Sequence, residues 1–220
     1  NCATAFSINS MAAKHVKRLA HPQRRRVASV EKPRIESIYQ RLLNVDPKGM
    51  PIPCNFVSQV VDCWAQDPEK LAMQKLDLDT GDQENITYAT IVERSHQVAE
   101  FFREAGVEKG DSVALMLGQN PVWWYSLMGL MREGIAAVPC PKLLTEKDLQ
   151  YRIQDLGIRA VITAPQLEDR INAIKGACPS LLHTLTTGQA SQGWGSLTNI
   201  FNEPVSDIKT SATTTESPCL

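Results

Sequence analysis

The chain has 220 residues, of which 43% are hydrophobic, and its formal net charge at pH 7 is −1. This length accommodates one large domain or two small ones, and the composition is ordinary for a globular protein. No stretch approaches the roughly 18 consecutive apolar residues that a membrane-spanning helix requires. The composition therefore predicts a globular protein without a membrane span.

The positive charges are concentrated near the start of the chain. Residues 1–30 contain six Lys and Arg and no Asp or Glu, which leaves 17 basic and 24 acidic residues, a net charge of −7, for the rest. An Arg-rich, acid-poor leader is typical of mitochondrial transit peptides, and a solvated basic tail fits the same composition equally well. Nucleic-acid binding is disfavoured because no aromatic residues interleave with the basic ones. We predict a basic extension over residues 1–32 of an intracellular protein, with the mitochondrial matrix as one destination.

Cysteine and histidine spacing gives no sign of a metal site. The six cysteines show neither paired metal-ligand spacing nor a compact disulfide framework, so we interpret them as reduced thiols. The four histidines share no spacing with one another or with cysteine, and no metal ligand is assigned. No Ser/His/Asp arrangement is recognisable either, so the sequence identifies no catalytic residue.

The globular pattern begins at about residue 33. Asn55 is a good helix N-cap, and the turn residues 79–82 separate two apolar stretches as in a β-hairpin. The elements predicted in this part are helices over 35–43 and 55–66, strands over 71–78 and 83–88, and a helix over about 88–105.

A turn, a buried strand and a helix start follow one another directly. Gly106 and Gly110 mark a helix end and a tight turn, where glycine tolerates positive φ. The apolar run 112–117 predicts a strand covered on both faces. Asn120 then provides an N-cap, and Pro121 occupies the first helical position, where its missing N–H is not needed.

The helix predicted over about 121–133 is apolar almost all round, so most of its sides should be covered by protein. We expect Trp123 and Trp124 to pack in the core, because large aromatic side chains dominate buried area. Gly129 and Gly134 should allow neighbouring backbone to approach closely.

Beyond residue 106, short apolar runs alternate with helical segments. The predicted order is strand 112–117, helix 121–133, strand 135–139, helix 145–156, strand 159–163, helix 167–176 and strand 181–186. Such alternation favours βαβ units with right-handed crossovers. The fold class is therefore α/β, with a mostly parallel sheet, flanking helices and a β-hairpin. The chain from Ser191 is less regular, and residues 204–218, rich in Ser, Thr and Pro, predict a surface loop or linker.

A series of landmark residues extends over about residues 50–200, and their joint order is more specific than any one of them. They are Asn55, Val60, Asp62 and Trp64; Gly106, Gly110 and Asp111; Asn120, Pro121, Trp123 and Trp124; Gly134 and Pro139; Leu144, Thr145, Asp148, Tyr151 and Arg152; and the runs 178–181 and 193–194. In this order they resemble the N-terminal part of an acyl-CoA synthetase of the adenylate-forming superfamily, in particular the medium-chain acyl-CoA ligases.

The resemblance implies a two-step reaction that uses ATP, Mg²⁺ and coenzyme A. The carboxylic acid and ATP give an acyl-adenylate, and the thiol of coenzyme A then displaces AMP. The first step requires a Gly-rich loop and a lysine that hold the triphosphate. Residues 210–218 do not match that loop, because they lack its glycines and lysine and contain Glu216. We expect 33–203 to be the N-terminal subdomain and 204–220 to lead into a phosphate-binding loop that the 220 residues do not contain.

The resemblance also implies a contact with coenzyme A. In medium-chain ligases the segment after the position of Pro139 lies near the coenzyme A entrance, which assigns Leu143 to cofactor binding. The family often has a polar residue at this position, so Leu143 departs from the pattern. Tyr151 and Arg152 are expected to tie their helix to neighbouring elements, and Cys140 is expected to be a structural thiol, since no adjacent base is visible.

Three functional hypotheses follow. The first is an acid–thiol ligase acting on a medium-chain fatty acid, with the acid, ATP and coenzyme A as its partners; the 220 residues alone are expected to be inactive. The second is an aryl-acid or short-chain ligase of the same superfamily. The third is a non-catalytic scaffold that retains the ligase-like domain. The pattern assigns no oligomeric state.

Overall fold

The computed structural model describes residues 53–205 and 210–218. The predicted basic extension over 1–32 and the predicted helix over 35–43 lie outside the described residues. All statements below concern the unit that includes residues 33–220.

The first described elements form a short helical segment, a hairpin and a long helix. A π-helical turn, Val57–Val61, runs directly into α1, Asp62–Trp64. Strands β1, Leu71–Leu76, and β2, Gln83–Thr87, pair antiparallel as the predicted hairpin. Helix α2, Tyr88–Glu104, follows without a loop. The predicted helix over 55–66 is thus a π-helical turn followed by a short α-helix, a distinction that hydrophobic spacing does not reveal.

The remaining elements alternate as predicted. They are β3, Ser112–Met116; α3, Pro121–Glu133; β4, Ala136–Pro139; α4, Glu146–Asp155; β5, Ala160–Thr163; a 3₁₀ turn, Pro165–Leu167; α5, Glu168–Lys175; β6, His183–Thr186; β7, Gly195–Ser196; and α6, Leu197–Ile200. The last two elements were not predicted, because a two-residue strand is too short to show a periodic pattern.

Five strands of the described chain form one parallel sheet in the order β4-β3-β5-β6-β7. Successive residues of each strand face opposite sides. Val113 and Leu115 of β3 contact a core shared with α2 and α3, whereas Ala114 and Met116 contact a core shared with α4 and α5. Helices therefore cover both faces of the sheet, and the predicted α/β fold with a separate hairpin is confirmed.

Helix α3 begins and ends as its sequence predicts. The Asn120 side chain accepts a hydrogen bond from the Val122 N–H at 3.0 Å, and Gly134 closes the helix in the left-handed conformation with φ of 69°. At Gly129 a Cβ atom would lie 2.6 Å from the side chain of Val98, so glycine allows α2 and α3 to pack closely.

The two tryptophans of α3 differ in burial. Trp123 packs against the core, whereas the Trp124 side chain is 44% exposed, which corrects the expectation that both are core residues. Their rings contact each other edge to face, with centroids 4.9 Å apart. The ring of Trp123 covers part of the Trp124 ring. The rest of the Trp124 side chain is exposed, so this apolar helix is not buried on every side.

Candidate functional site

The sheet has a topological switch point between β3 and β5. These strands are adjacent and parallel, and the helices that follow them, α3 and α5, pack on opposite faces of the sheet. The loops that leave the carboxyl ends of the two strands therefore diverge. In open α/β sheets the region outside the carboxyl ends at such a point is the preferred position for ligands.

The loop after β4 lies at the same carboxyl edge. Arg170 Nη1 donates to the carbonyl oxygens of Lys142, at 2.6 Å, and Leu144, at 3.2 Å, so a cation on α5 fixes this loop. Leu143, between them, is 92% exposed and lines an open depression of about 420 Å³ together with Arg170. An apolar side chain at this exposure gains nothing from core packing, so folding leaves it available for ligand contact.

Lys142 reaches from the same loop to the end of β3. A Cβ atom at Gly118 would lie 2.4 Å from the Lys142 ammonium nitrogen, so glycine at position 118 makes room for this side chain. Gly118 follows β3 by two residues, and Lys142 thus places a positive charge close to the switch point.

Tyr151 and Arg152 do not tie α4 to neighbouring elements as expected. Both side chains are exposed, and that of Tyr151 is 67% exposed, because the buried stripe of α4 is formed by Leu149 and Ile153. The two exposed residues line an open depression of about 500 Å³ instead.

Cys140 behaves as a buried thiol. Desolvation raises the pKa of Cys140 above its usual value, and the positive charge of Arg152 opposes this shift only in part. A raised pKa keeps the thiol protonated at neutral pH and removes its nucleophilic form. Among the residues that the structure describes, no group of three or more His, Cys, Asp or Glu side chains is placed to hold a metal ion.

A second set of polar residues lies at the opposite, amino edge of the sheet. Gly110, in the turn before β3, donates its N–H to the Gly134 carbonyl at 2.9 Å, which places the end of α3 at this edge. Arg132, near that end, is only 1% exposed. Its guanidinium donates to both carboxylate oxygens of Asp62 and, at 2.8 Å, to the Ser95 hydroxyl. The buried charge is therefore paired and hydrogen-bonded, as burial requires.

Glu133, the next residue, forms a second ion pair. Its carboxylate accepts from Arg103 Nη2 at 2.6 Å and from the Ser211 hydroxyl at 3.0 Å. The side chain of Glu133 is 8% exposed and that of Arg103 is 42% exposed. Two consecutive charged residues of α3 thus connect this helix to α1, α2 and residue 211.

Residues 210–218, which we call the docked segment, lie against this polar cluster. The Ser211 N–H donates to the Arg132 carbonyl at 2.9 Å, and Lys109 Nζ donates to the Ala212 carbonyl at 2.6 Å. Cys54 and Thr213 exchange hydrogen bonds, because the Cys54 N–H donates to the Thr213 carbonyl at 2.9 Å and the Thr213 hydroxyl donates to the Cys54 carbonyl. The backbone of the segment is irregular, but polar contacts along its length hold it in place.

A cleft of about 270 Å³ is lined by part of the docked segment, by the end of α3 and by residues 54–56. Its lining includes Thr213, Thr214, Thr215 and Ser217. Thr214 and Ser217 form a turn in which the Ser217 N–H donates to the Thr214 carbonyl and the Ser217 hydroxyl accepts from the Thr214 N–H, both at 3.0 Å. This arrangement is not predicted by the sequence. Its one visible signal was a pair of charged residues, Arg132 and Glu133, in an otherwise apolar helix.

The part of the chain that the structure describes contains no helix with the length and apolar character needed to cross a bilayer.

Comparisons with known proteins agree with this architecture. The chain is 31% identical over 160 residues to the mitochondrial acyl-coenzyme A synthetase ACSM5 of Rattus norvegicus, which covers 69% of this chain and 28% of that protein. It is 32% identical over 148 residues to the mitochondrial acyl-coenzyme A synthetase ACSM1 of Homo sapiens, covering 64% of this chain and 26% of the human protein. The chain therefore spans less than a third of these relatives.

The fold is shared with a solved structure. The crystal structure of the anthranilate CoA ligase AuaEII in complex with anthranoyl-AMP matches with a TM-score of 0.63 and 21% identity, over 77% of this chain and 31% of that chain. The model of the AMP-binding enzyme family matches residues 60–218. The resemblance drawn from the landmark residues is thereby confirmed, and the chain belongs to the AMP-binding enzyme family.

Proposed function

We propose that the chain is part of a fatty acid:CoA ligase that activates a medium-chain carboxylic acid as an acyl-adenylate and transfers the acyl group to coenzyme A. The observation that supports this most is the similarity to acyl-coenzyme A synthetases over 160 residues, at 31% identity to the rat protein. The cofactors are ATP, Mg²⁺ and coenzyme A.

The docked segment has a specific place in this proposal. We propose that it leads into the Gly-rich, lysine-containing loop that binds the triphosphate. The segment itself carries hydroxyl groups but neither the glycines nor the lysine that such a loop needs. The 220 residues alone are therefore expected to form no adenylate.

Leu143 is the proposed coenzyme A contact. It is 92% exposed at the carboxyl edge of the sheet, beside the positive charges of Lys142 and Arg170. Cations at this edge suit the phosphate groups of coenzyme A, and an exposed apolar side chain suits its pantetheine arm.

One experiment tests the activity and the acid class together. The complete gene product is incubated with ATP, Mg²⁺ and coenzyme A and with one acid from each class: acetate, octanoate or benzoate. Release of AMP with formation of octanoyl-CoA, at a kcat/KM at least about tenfold above the other two acids, is the expected result. A preference for acetate would indicate a short-chain acid ligase, and a preference for benzoate would indicate an aryl-acid ligase. Absence of AMP release with every acid would support a scaffold.

We further propose that residues 1–32 direct import into mitochondria. The relatives described above carry "mitochondrial" in their names, and the extension combines six basic residues with no acidic ones. Fusing residues 1–32 to a fluorescent protein should place it in the mitochondrial matrix. A matched fusion with Arg24, Arg25 and Arg26 changed to Gln should remain in the cytosol. Cytosolic fluorescence from both fusions would favour a solvated basic tail.

A further inference from the structure

We infer that Arg132 is a positioning residue that fixes the docked segment and, through it, the triphosphate-binding residues proposed to follow. This inference rests on the proposed ligase function. In this inference Arg132 contacts no substrate. Its side chain lies inside the protein and contacts residue 210, and its backbone carbonyl contacts residue 211.

The guanidinium of Arg132 is held from more than one direction. Asp62, at the start of α1, engages both terminal nitrogens, and Ser95, on α2, accepts from Nε. The Ser95 hydroxyl in turn donates to the Val92 carbonyl at 2.8 Å, which fixes its orientation. A planar guanidinium with hydrogen-bond partners on two separate helices has little freedom to rotate. The side chain of Arg132 is therefore held in one orientation at the end of α3.

Arg132 also forms hydrogen bonds with the docked segment, through its side chain and through its backbone. Its Nη1 donates to the Thr210 hydroxyl at 3.4 Å, and its carbonyl accepts from the Ser211 N–H at 2.9 Å. That carbonyl is available because the last carbonyls of a helix have no partner within the helix. The beginning of the segment is thus placed relative to α1 and α2 through one residue, by its side chain at Thr210 and by its backbone carbonyl at Ser211.

The two residues after Arg132 continue the contact. Glu133 accepts from the Ser211 hydroxyl at 3.0 Å, and at Gly134 a Cβ atom would lie 2.9 Å from Thr213 Cγ2. The last two residues of α3 and the glycine that closes it therefore meet residues 210, 211 and 213 of the docked segment.

Stability alone does not account for a buried arginine at this position. Apolar side chains of similar volume often replace a buried ion pair without loss of stability, whereas a hydrogen-bonded pair fixes direction and register. A segment without regular secondary structure gains its placement only from such directed contacts. The ion pair is suited to orienting the segment more than to stabilising the domain.

Hydrogen exchange of the 220-residue chain tests the anchoring step. Arg132→Lys keeps the charge but loses the two-pronged contact, and Glu84→Gln, which removes an exposed ion pair on the hairpin, is the matched control. In Arg132→Lys the backbone amides of Ser211 and Ser217 should exchange about tenfold faster, with the amides of β3 and β5 unchanged. Unchanged exchange in the docked segment, or an equal increase throughout the sheet, would overturn the inference.

Kinetics of the complete gene product test the catalytic consequence. Arg132→Lys should lower kcat for adenylate formation and raise the KM for ATP, each by about tenfold, while the KM for coenzyme A stays within about twofold. A merely structural role would change the amount of active enzyme and leave every KM unchanged, and that result would contradict positioning. If the wild-type protein forms no adenylate, the proposed ligase function fails, whereas the exchange experiment still decides whether Arg132 holds the docked segment.

Discussion

Asp62 accepts hydrogen bonds from both terminal nitrogens of Arg132, although the two residues are separated by 70 positions in the sequence. The contact joins the short helix α1 to the end of α3 and leaves the arginine side chain 1% exposed. Because the charge of Arg132 is removed from water, it depends on Asp62 for compensation.

Replacing Asp62 by Ala should lower the free energy of unfolding by about 2–4 kcal/mol, since it leaves a buried cation without its carboxylate. The Asp62 side chain is 32% exposed, so water offsets part of the loss. Urea denaturation followed by tryptophan fluorescence measures the change. Glu84→Ala removes the exposed pair with Lys75, whose side chains are 53% and 59% exposed, and should change stability by less than about 0.5 kcal/mol. Equal effects of the two substitutions would mean that the Asp62–Arg132 pair is screened like a surface pair.

Gly134→Ala should destabilise the domain by about 1–3 kcal/mol, for two reasons that act together. Gly134 has φ of 69°, and an added Cβ would lie 2.9 Å from Thr213 Cγ2 and 3.0 Å from Lys109 Cγ. The measurement is again the urea midpoint. Gly176→Ala is the control, because Gly176 ends α5 with φ of −63° and has no atom within 4 Å of the added Cβ. Alanine at position 176 should be neutral or slightly stabilising, and a similar loss at both positions would exclude the close contact as the cause.

Local signals in the sequence were sufficient for most of the fold. The alternation of apolar runs with helical segments predicted the parallel sheet, and Asn120, Pro121 and Gly134 predicted the limits of α3 within a residue or two. Such signals act over one or two turns of chain, so they are visible in the sequence alone. The family was identified from the resemblance to acyl-CoA synthetases, because hydrophobic periodicity alone does not distinguish one α/β family from another.

The polar cluster at the amino edge of the sheet could not be predicted from such local signals. The partners of Arg132 lie on α1, on α2 and in the docked segment, and no spacing rule connects positions so far apart in the chain. Residues 210–218 have no apolar period, and what holds them is hydrogen bonding to other elements rather than burial of a stripe. A charged pair in an apolar helix indicates that partners exist but does not identify them.

Asp148 should titrate below its usual pKa of 3.8, because it accepts hydrogen bonds from the Thr145 hydroxyl, at 2.7 Å, and from the Thr145 N–H, at 3.2 Å. The pKa is lower in the folded state than in the unfolded state. The associated stabilisation is therefore fully present above pH 3.8 and disappears as the pH falls through the folded-state pKa. Carboxyl-carbon NMR titration measures the midpoint.

Thr145→Ala tests the cause of that shift. It removes the hydroxyl and should move the Asp148 midpoint upwards, towards 3.8. Asp77 is the internal control, since the backbone N–H groups of Thr80 and Asp79 lower its pKa and neither is altered. An Asp148 midpoint that does not respond to Thr145→Ala would show that the Thr145 hydroxyl does not donate to the Asp148 carboxylate in solution.

Cys140 should react slowly with iodoacetamide in the folded protein. Desolvation raises its pKa, so less thiolate is present at a given pH, and burial also limits access. Peptide mass spectrometry after brief alkylation at pH 8 should find Cys54 and Cys63, which are half-buried, modified earlier than Cys140. Alkylation in urea should abolish the difference. Preferential labelling of Cys140 in the native protein would instead indicate an activated thiol at the carboxyl edge of the sheet.

Leu143→Gln tests the proposed coenzyme A contact in the complete gene product. Leu143 is 92% exposed, so the substitution should change the free energy of unfolding by less than about 0.5 kcal/mol. The substitution removes the apolar contact proposed for the pantetheine arm, which should raise the KM for coenzyme A by about two- to tenfold and leave the KM for ATP unchanged. Leu78→Gln is the matched control, because Leu78 is 87% exposed but lies beside the hairpin turn. If neither substitution alters the KM for coenzyme A, the cofactor does not pass over the loop after β4.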